Sequence, residues 1–303
     1  MESNFFARRI KALFPIAALV VVAIVAVTTA MTILANTQPE APTASPSAAA
    51  TPTLADTGPP LDLATPSETP SPVMTVPLPA TAPVILTIYE GAHDPNRVWF
   101  VVWRYPRFQP GSTPLAGLMN QDIVDEINTR IEVFESGPAA FRQLPGKANT
   151  LTGSFTTNMV SFDLVSLTLK WVDDTVPGHT LTKVETVNYA LASGQRLDLE
   201  QLFGDMPAAM AIISAQSQEQ LRRSLGSRYD PVLASGGTAP AVSNYGNWAL
   251  TPGGLKVIFD QSQVGPDAAG MPIIVIPWSS LKSVIRPDGP AARLAGLPAP
   301  SAS

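Results

Sequence analysis

Two aspartates and a histidine share one loop of a chain that holds only 2 histidines. Asp173 and Asp174 precede His179 across Pro177-Gly178, close enough for a turn to gather two carboxylates and an imidazole. Such a set can bind a metal or move a proton. A structural role competes with it: aspartates solvate turns, and an imidazole pins a loop through backbone hydrogen bonds. The structural role is favoured, so Asp173, Asp174, Gly178 and His179 are candidate ligand-loop residues, with no metal and no cofactor expected. His93-Asp94 stands beside Pro95, where a turn role is favoured. Ser279-Ser280-Leu281-Lys282 reproduces the S-x-x-K spacing of penicillin-interacting serine enzymes, but the accompanying S-D-N and K-T-G elements are absent and the match is read as chance. No G-x-S-x-G, H-E-x-x-H or phosphate-cradling glycine loop occurs. The chain has no cysteine, which excludes disulfides, thiolate catalysis and cysteine-ligated metals. No catalytic residue is assigned, and an enzyme is not expected.

The elements that hold this loop are two strand-like runs. Alternation over residues 165–171 puts Leu167 and Leu169 on one face and Ser166, Thr168 and Lys170 on the other, the pattern of a half-buried strand. Residues 181–191, rich in Val, Thr and Tyr, lie between Gly178 and Gly194 and predict the paired strand. Their alternation is imperfect, because Lys183 and Glu185 share a face with Leu181, Val187, Tyr189 and Leu191. Leu199, Leu202 and Phe203 predict a short helical turn closing the hairpin. Upstream, residues 84–91 and 97–108 read as a hairpin. Ile123, Ile127, Ile131 and Phe134 mark the clearest amphipathic helix, over residues 118–134. Downstream, Asp205 as N-cap and Pro207 in the first turn open a second helix to about residue 225, with Met210, Ile213, Leu221 and Leu225 inward. Arg222, Arg223 and Arg228 gather at its end, where the helix dipole favours cations. A Gly/Ser-rich loop over 226–246, a hairpin over 248–259 around Pro252-Gly253-Gly254, a buried strand over 271–277 and a last helical turn complete the fold. Trp99, Trp103, Trp171, Trp248 and Trp278 are assigned to core packing in preference to a sugar-binding surface.

The strand pair, its small-residue turn ending in His179, the run TVNYALASGQRLDLEQLF, and the later GL, AAG and IPW elements together resemble the extracytoplasmic domain of unknown function shared by RsiV-type anti-sigma factors and PdaC-type peptidoglycan deacetylases. RYPRF and MNQDIVDEINTRIEVF resemble the smaller domain that precedes it. The resemblance covers roughly residues 83–286 and implies a cell-envelope setting. RsiV-type relatives bind lysozyme, so a lysozyme-type protein is the ligand it suggests, with peptidoglycan the other candidate. Two departures matter. Residues 1–15 are too few to fold into a sigma-binding domain, and no deacetylase domain follows residue 286.

Arg8, Arg9 and Lys11 precede residues 16–34, which carry no charge and at about 1.5 Å per residue span a hydrocarbon core of about 30 Å. The positive flank places the amino terminus in the cytoplasm and the rest outside. A cleaved signal peptide competes, with Ala30 and Ala35 as cleavage positions; the length favours an anchor over residues 16–35. Residues 36–83, almost wholly Pro, Thr, Ser and Ala, bury too little to order themselves and read as a spacer. The folded part divides into residues 84–148 and 149–286, followed by a disordered tail over 287–303. The net charge of -5 argues against nucleic acid as partner. The expectation is an α+β unit, mainly antiparallel sheet with two principal packed helices, behind a transmembrane helix and linker: a single-pass envelope-binding or sensing module. An accessory to peptidoglycan-modifying enzymes, a weak hydrolase and a structural wall spacer are the alternatives.

Overall fold

The computed structural model describes residues 77–94, 98–137, 148–176 and 179–298. The expected anchor, and the spacer up to residue 76, lie outside the described residues. No described helix is long and apolar enough to cross a membrane.

A six-stranded sheet in sequential order is formed by β1 (Ile85–His93), β2 (Trp99–Phe108), β3 (Asn149–Val160), β4 (Leu164–Val176), β5 (His179–Ala190) and β6 (Gln195–Arg196). All pairings are antiparallel except β2 with β3. That exception follows from helix α1 (Ala116–Ser136), which intervenes between them, because parallel neighbours need a long crossover. The sheet runs unbroken across residues 148–149, where the sequence suggests a division. The β1–β2 loop has the turn role expected of it: Asp94 Oδ2 accepts from Val98 N at 3.2 Å, and His93 stacks on Phe100.

Helix α1 buries Met119, Ile123, Ile127, Ile131 and Phe134 against Trp99, Val101, Trp103, Leu167, Leu169, Val187 and Tyr189 of one sheet face. The stripe recurs every three to four residues, so all five side chains point at the sheet. On the opposite face stands a second sheet, β7 (Trp248–Thr251), β8 (Gly254–Ile258) and β9 (Ile273–Pro277), antiparallel throughout. Its far side is closed by α2 (Met206–Leu225), whose N-cap Asp205 accepts from Ala208 N at 3.0 Å. Met210, Ile213, Leu221 and Leu225 face inward as expected, joining Trp248, Leu250, Val257, Ile274, Ile276 and Trp278 in a second core. All five tryptophans are buried.

Strand ends and edges are closed by side-chain amides, a device that hydrophobic periodicity does not reveal. Asn120 of α1 accepts from Phe108 N at 2.7 Å and donates to Phe108 O at 2.9 Å. Gln220 of α2 does the same to Val275 on β9, at 3.2 and 2.9 Å. Asn188 of β5 donates to Trp248 O at 2.9 Å and accepts from Leu250 N at 3.3 Å, with Ser166 Oγ accepting from the same N–H at 3.0 Å. A carboxamide offers the donor and acceptor that a neighbouring strand would supply, so each clamp satisfies backbone groups that would otherwise be orphaned.

Two expectations are corrected. The loop over 226–246 contains a helix, α3 (Pro231–Gly237), capped by Asp230, which accepts from Val232 N and Leu233 N at 2.8 and 3.1 Å; proline at the first helical position is the usual partner of such a cap. Residues 287–298 pack where a disordered tail was expected. Ala291 and Ala295 are buried in the second core. Arg293 clasps Asp163 at 2.6 and 3.0 Å and lies over the Phe162 ring. Burial opposes ionisation of Asp163, but the hydrogen bonds from Arg293 and Ser161 win and hold its carboxyl below the usual range. A chain stopped at Arg286 loses both the alanines and the clasp. It is expected to unfold about 2–4 kcal/mol more easily in urea than one ending at residue 298, from the apolar area exposed and the cavity left.

Candidate functional site

The groove nearest the predicted loop is built from the last turns of α1 and the ends of β3, β4 and β5. Ile127, Ile131 and Phe134 bind the helix to the sheet, and this leaves Arg130 and Val133 along the groove's wall. Its volume is about 460 Å³, and Leu151, Trp171, Asp173, Leu181 and Lys183 line the strand side, with Val184 and Asp260 at the β5 edge.

Trp171 lines the groove together with Phe134, and it is held under a charge: the Arg130 guanidinium lies 4.6 Å over the ring, close enough for cation–π attraction. Arg130 is fixed in turn by Glu126 at 3.1 Å and Glu185 at 3.0 Å. Glu185 also meets Arg196 at 3.2 Å, and Arg196 reaches Asp122 at 2.6 Å, which accepts from Tyr189 Oη at 2.6 Å. Asp122, Glu126 and Arg130 are spaced four apart on α1, so one helical edge faces the charges of β5 and β6. This explains the broken alternation in β5: Glu185 sits on the core face because two guanidinium groups from α1 and β6 receive it. Lys183, two residues earlier on the same face, has no ion-pair partner among the described residues and stands exposed at the groove.

Burial, together with the adjoining Glu185 carboxyl, pushes the Glu126 carboxyl up, while Arg130 and Arg196 pull it down; the net direction is upward. The folded protein therefore holds that proton more tightly than the unfolded chain. The stability it adds is full below the usual glutamate range and is lost as pH rises through the raised value. Glu126→Gln keeps a hydrogen-bonding group beside Glu185 without the charge. It is expected to flatten the fall in stability between about pH 5 and pH 7.5, read from urea midpoints across that range. An unchanged slope would assign the pH dependence to another group.

The predicted loop residues separate. Asp173 pairs opposite Leu151 and Leu181 and lines the groove, while its Oδ1 accepts from Thr175 N at 3.0 Å, the turn-solvating role anticipated for it. Asp174 follows in the stretch where the β4–β5 register shifts, between Asp173 and Val176. Gly178 lies outside the described residues, as does the side chain of His179, whose backbone pairs with Val176. Among the described residues no three His, Asp or Glu side chains are grouped to hold a metal. The S-x-x-K match dissolves: Lys282 Nζ donates to Gly296 O at 3.4 Å, and Ser279 is exposed on the short helix α4 (Trp278–Leu281). Arg222 and Arg223 are both taken by Glu219 at 3.0 and 2.6 Å, and Arg228 donates to Ala268 O at 3.2 Å. Sequence reasoning passed over Arg130, Lys183 and Asp260 as groove residues. The one available signal was the pair Lys183 and Glu185 on an otherwise apolar strand face.

Residues 200–279 match the family model described as Protein of unknown function (DUF3298). That stretch carries a DUF3298 domain, and it takes in α2, α3 and the three-stranded sheet. Of the groove's lining, Asp260 falls within it. No curated protein matches the chain. Two solved structures to which the chain is similar are a DUF3298 family protein from Pseudomonas aeruginosa PAO1 and a member of the same family from Bacteroides fragilis NCTC 9343. The first is 13% identical with a TM-score of 0.48, the similarity covering 71% of this chain and 97% of that one. The second is 14% identical with a TM-score of 0.46, covering 73% and 98%.

Proposed function

We propose that the folded unit is a ligand-binding or sensing module of the cell envelope, tethered outside the membrane through residues 16–35 and the spacer over 36–83, and that its ligand seats in the groove beside β5. What supports this is the groove's construction. An indole held under a guanidinium, an exposed Lys183, and the carboxylates of Asp173 and Asp260 offer stacking, cationic and anionic contacts within about 460 Å³. Mixed contacts of this kind suit a protein loop or a wall fragment, which presents polar groups on an apolar frame. The resemblance to RsiV-type domains makes a lysozyme-type protein the first ligand to try and peptidoglycan the second.

The test is calorimetric titration of residues 77–298 with a purified c-type lysozyme, alongside retention on insoluble peptidoglycan. Micromolar or tighter binding to either, weakened at least about tenfold, or about 1.4 kcal/mol, by Lys183→Ala, is the expected result. Binding to neither, or binding indifferent to Lys183→Ala, would sink the assignment of this groove.

A further inference from the structure

Among the described residues, the outer edge of β5 is unpaired over a run whose sequence is complementary to itself. Leu191 N donates to Asp163 O at 2.9 Å. Bonded and non-bonded pairs alternate along an antiparallel ladder. In the unbroken register from Leu164↔Ala190 to Asp173↔Leu181, the odd-numbered residues of β5 therefore commit their N–H and C=O groups to β4. Even-numbered residues direct theirs outward, and the far end of the strand bears this out: Leu197 N donates to Asn188 O at 2.7 Å and Gly194 N to Ala190 O at 2.8 Å. Strand β6 pairs only with Tyr189 and Ala190, so among the described residues no strand meets Thr182, Val184 or Thr186. The space beside them is open, since Leu181, Lys183 and Val184 border the groove. Thr186 Oγ1 is buried with no hydrogen-bond partner.

We infer that β5 pairs with β5 of a second copy of this chain, antiparallel and about a two-fold axis at Val184. In this register Val184 bonds Val184 of the partner subunit, and Thr182 bonds Thr186 of the partner subunit. Lys183 stands opposite Glu185 of the partner subunit as a close, non-bonded cross-strand pair. The run LTKVETV is symmetric by residue class about Val184, with its cation answering its anion. A slip of two residues sets lysine against lysine or glutamate against glutamate, so charge selects the symmetric register and closes the assembly as a dimer. The partner's strand then walls the open side of the groove. The inference does not depend on what the groove binds.

The chain has no cysteine, so a single introduced one can cross-link only between copies. Val184→Cys sits on the axis, where a bonded antiparallel pair holds Cα atoms about 5.5 Å apart, within disulfide reach. Thr182→Cys lies about 13 Å from its counterpart in the same register and serves as control. Full-length protein is oxidised with copper–phenanthroline and followed on non-reducing gels. Val184→Cys is expected to form covalent dimer at least about tenfold faster than Thr182→Cys, because pairing raises the local concentration of one thiol around the other. Adding Lys183→Glu to Val184→Cys sets acid against acid and should remove that advantage. Equal rates for the two cysteines, no dimer from either, or indifference to Lys183→Glu would overturn the inference and leave Lys183 as a charge that guards an edge against pairing.

Discussion

Gly153→Ala is expected to lower the unfolding free energy by about 3 kcal/mol and the midpoint temperature by about 6–12 °C. Gly153 lies in the middle of β3, opposite Trp103 in the parallel pairing and opposite Trp171 in the antiparallel one. A glycine in mid-strand is unfavourable by itself, and here the Trp103 indole explains it: a Cβ added at 153 would fall inside that ring. Trp103 is 4% exposed and packs between α1 and the sheet, so it cannot swing aside without opening the first core. Urea unfolding of Gly153→Ala, Trp103→Leu and the double variant measures the coupling directly. If the two sites share this contact, the double variant costs clearly less than the sum of the singles. A Gly153→Ala variant within about 0.5 kcal/mol of the parent would mean that the indole has room to move.

Elements whose stability comes from a periodic apolar stripe are legible in the amino-acid sequence alone. Ile123, Ile127, Ile131 and Phe134 announced α1, and Asp205 with Pro207 announced the start of α2; the structure places them over Ala116–Ser136 and Met206–Leu225. Period and capping chemistry are local, so a linear reading captures them. What it missed depends on partners distant in sequence. Asn120, Asn188 and Gln220 carry no local signal of their roles, although each closes backbone groups of another element, up to 62 positions away. Ala291 and Ala295 read as a Pro/Ala-rich tail because small side chains carry little periodic signal, and they pack into the second core beside Arg293, which meets Asp163, 130 residues away. The parallel pairing of β2 with β3 was equally hidden, since strand patterns do not encode direction. For the groove, Asp173 is singled out through its loop and is one of the lining residues. The cations beside it are not, because Arg130 reads as a surface charge on a helix and Lys183 only as a break in the alternation of its strand.

The same non-local logic gives Asn188 a structural role. It is 3% exposed and bridges the two sheets at the edge of β7, where, among the described residues, Trp248 O and Leu250 N have no strand neighbour on that side. Asn188→Ala is expected to cost about 2–4 kcal/mol, because Trp248 O loses its donor inside a dry interface, while Leu250 N keeps Ser166 Oγ. Asn188→Asp separates the two roles. Its carboxylate can still accept from Leu250 N but, when ionised, offers nothing to Trp248 O and carries a charge into a buried site. The aspartate pKa should rise on folding, so the variant should regain stability as pH falls from about 7.5 to about 4.5, toward the level of the parent. Comparing urea midpoints of the three proteins across that range tests this. A cost in Asn188→Asp that is the same at both ends would show that the interface does not shift the introduced carboxyl, and the charge would then be no part of what the substitution costs.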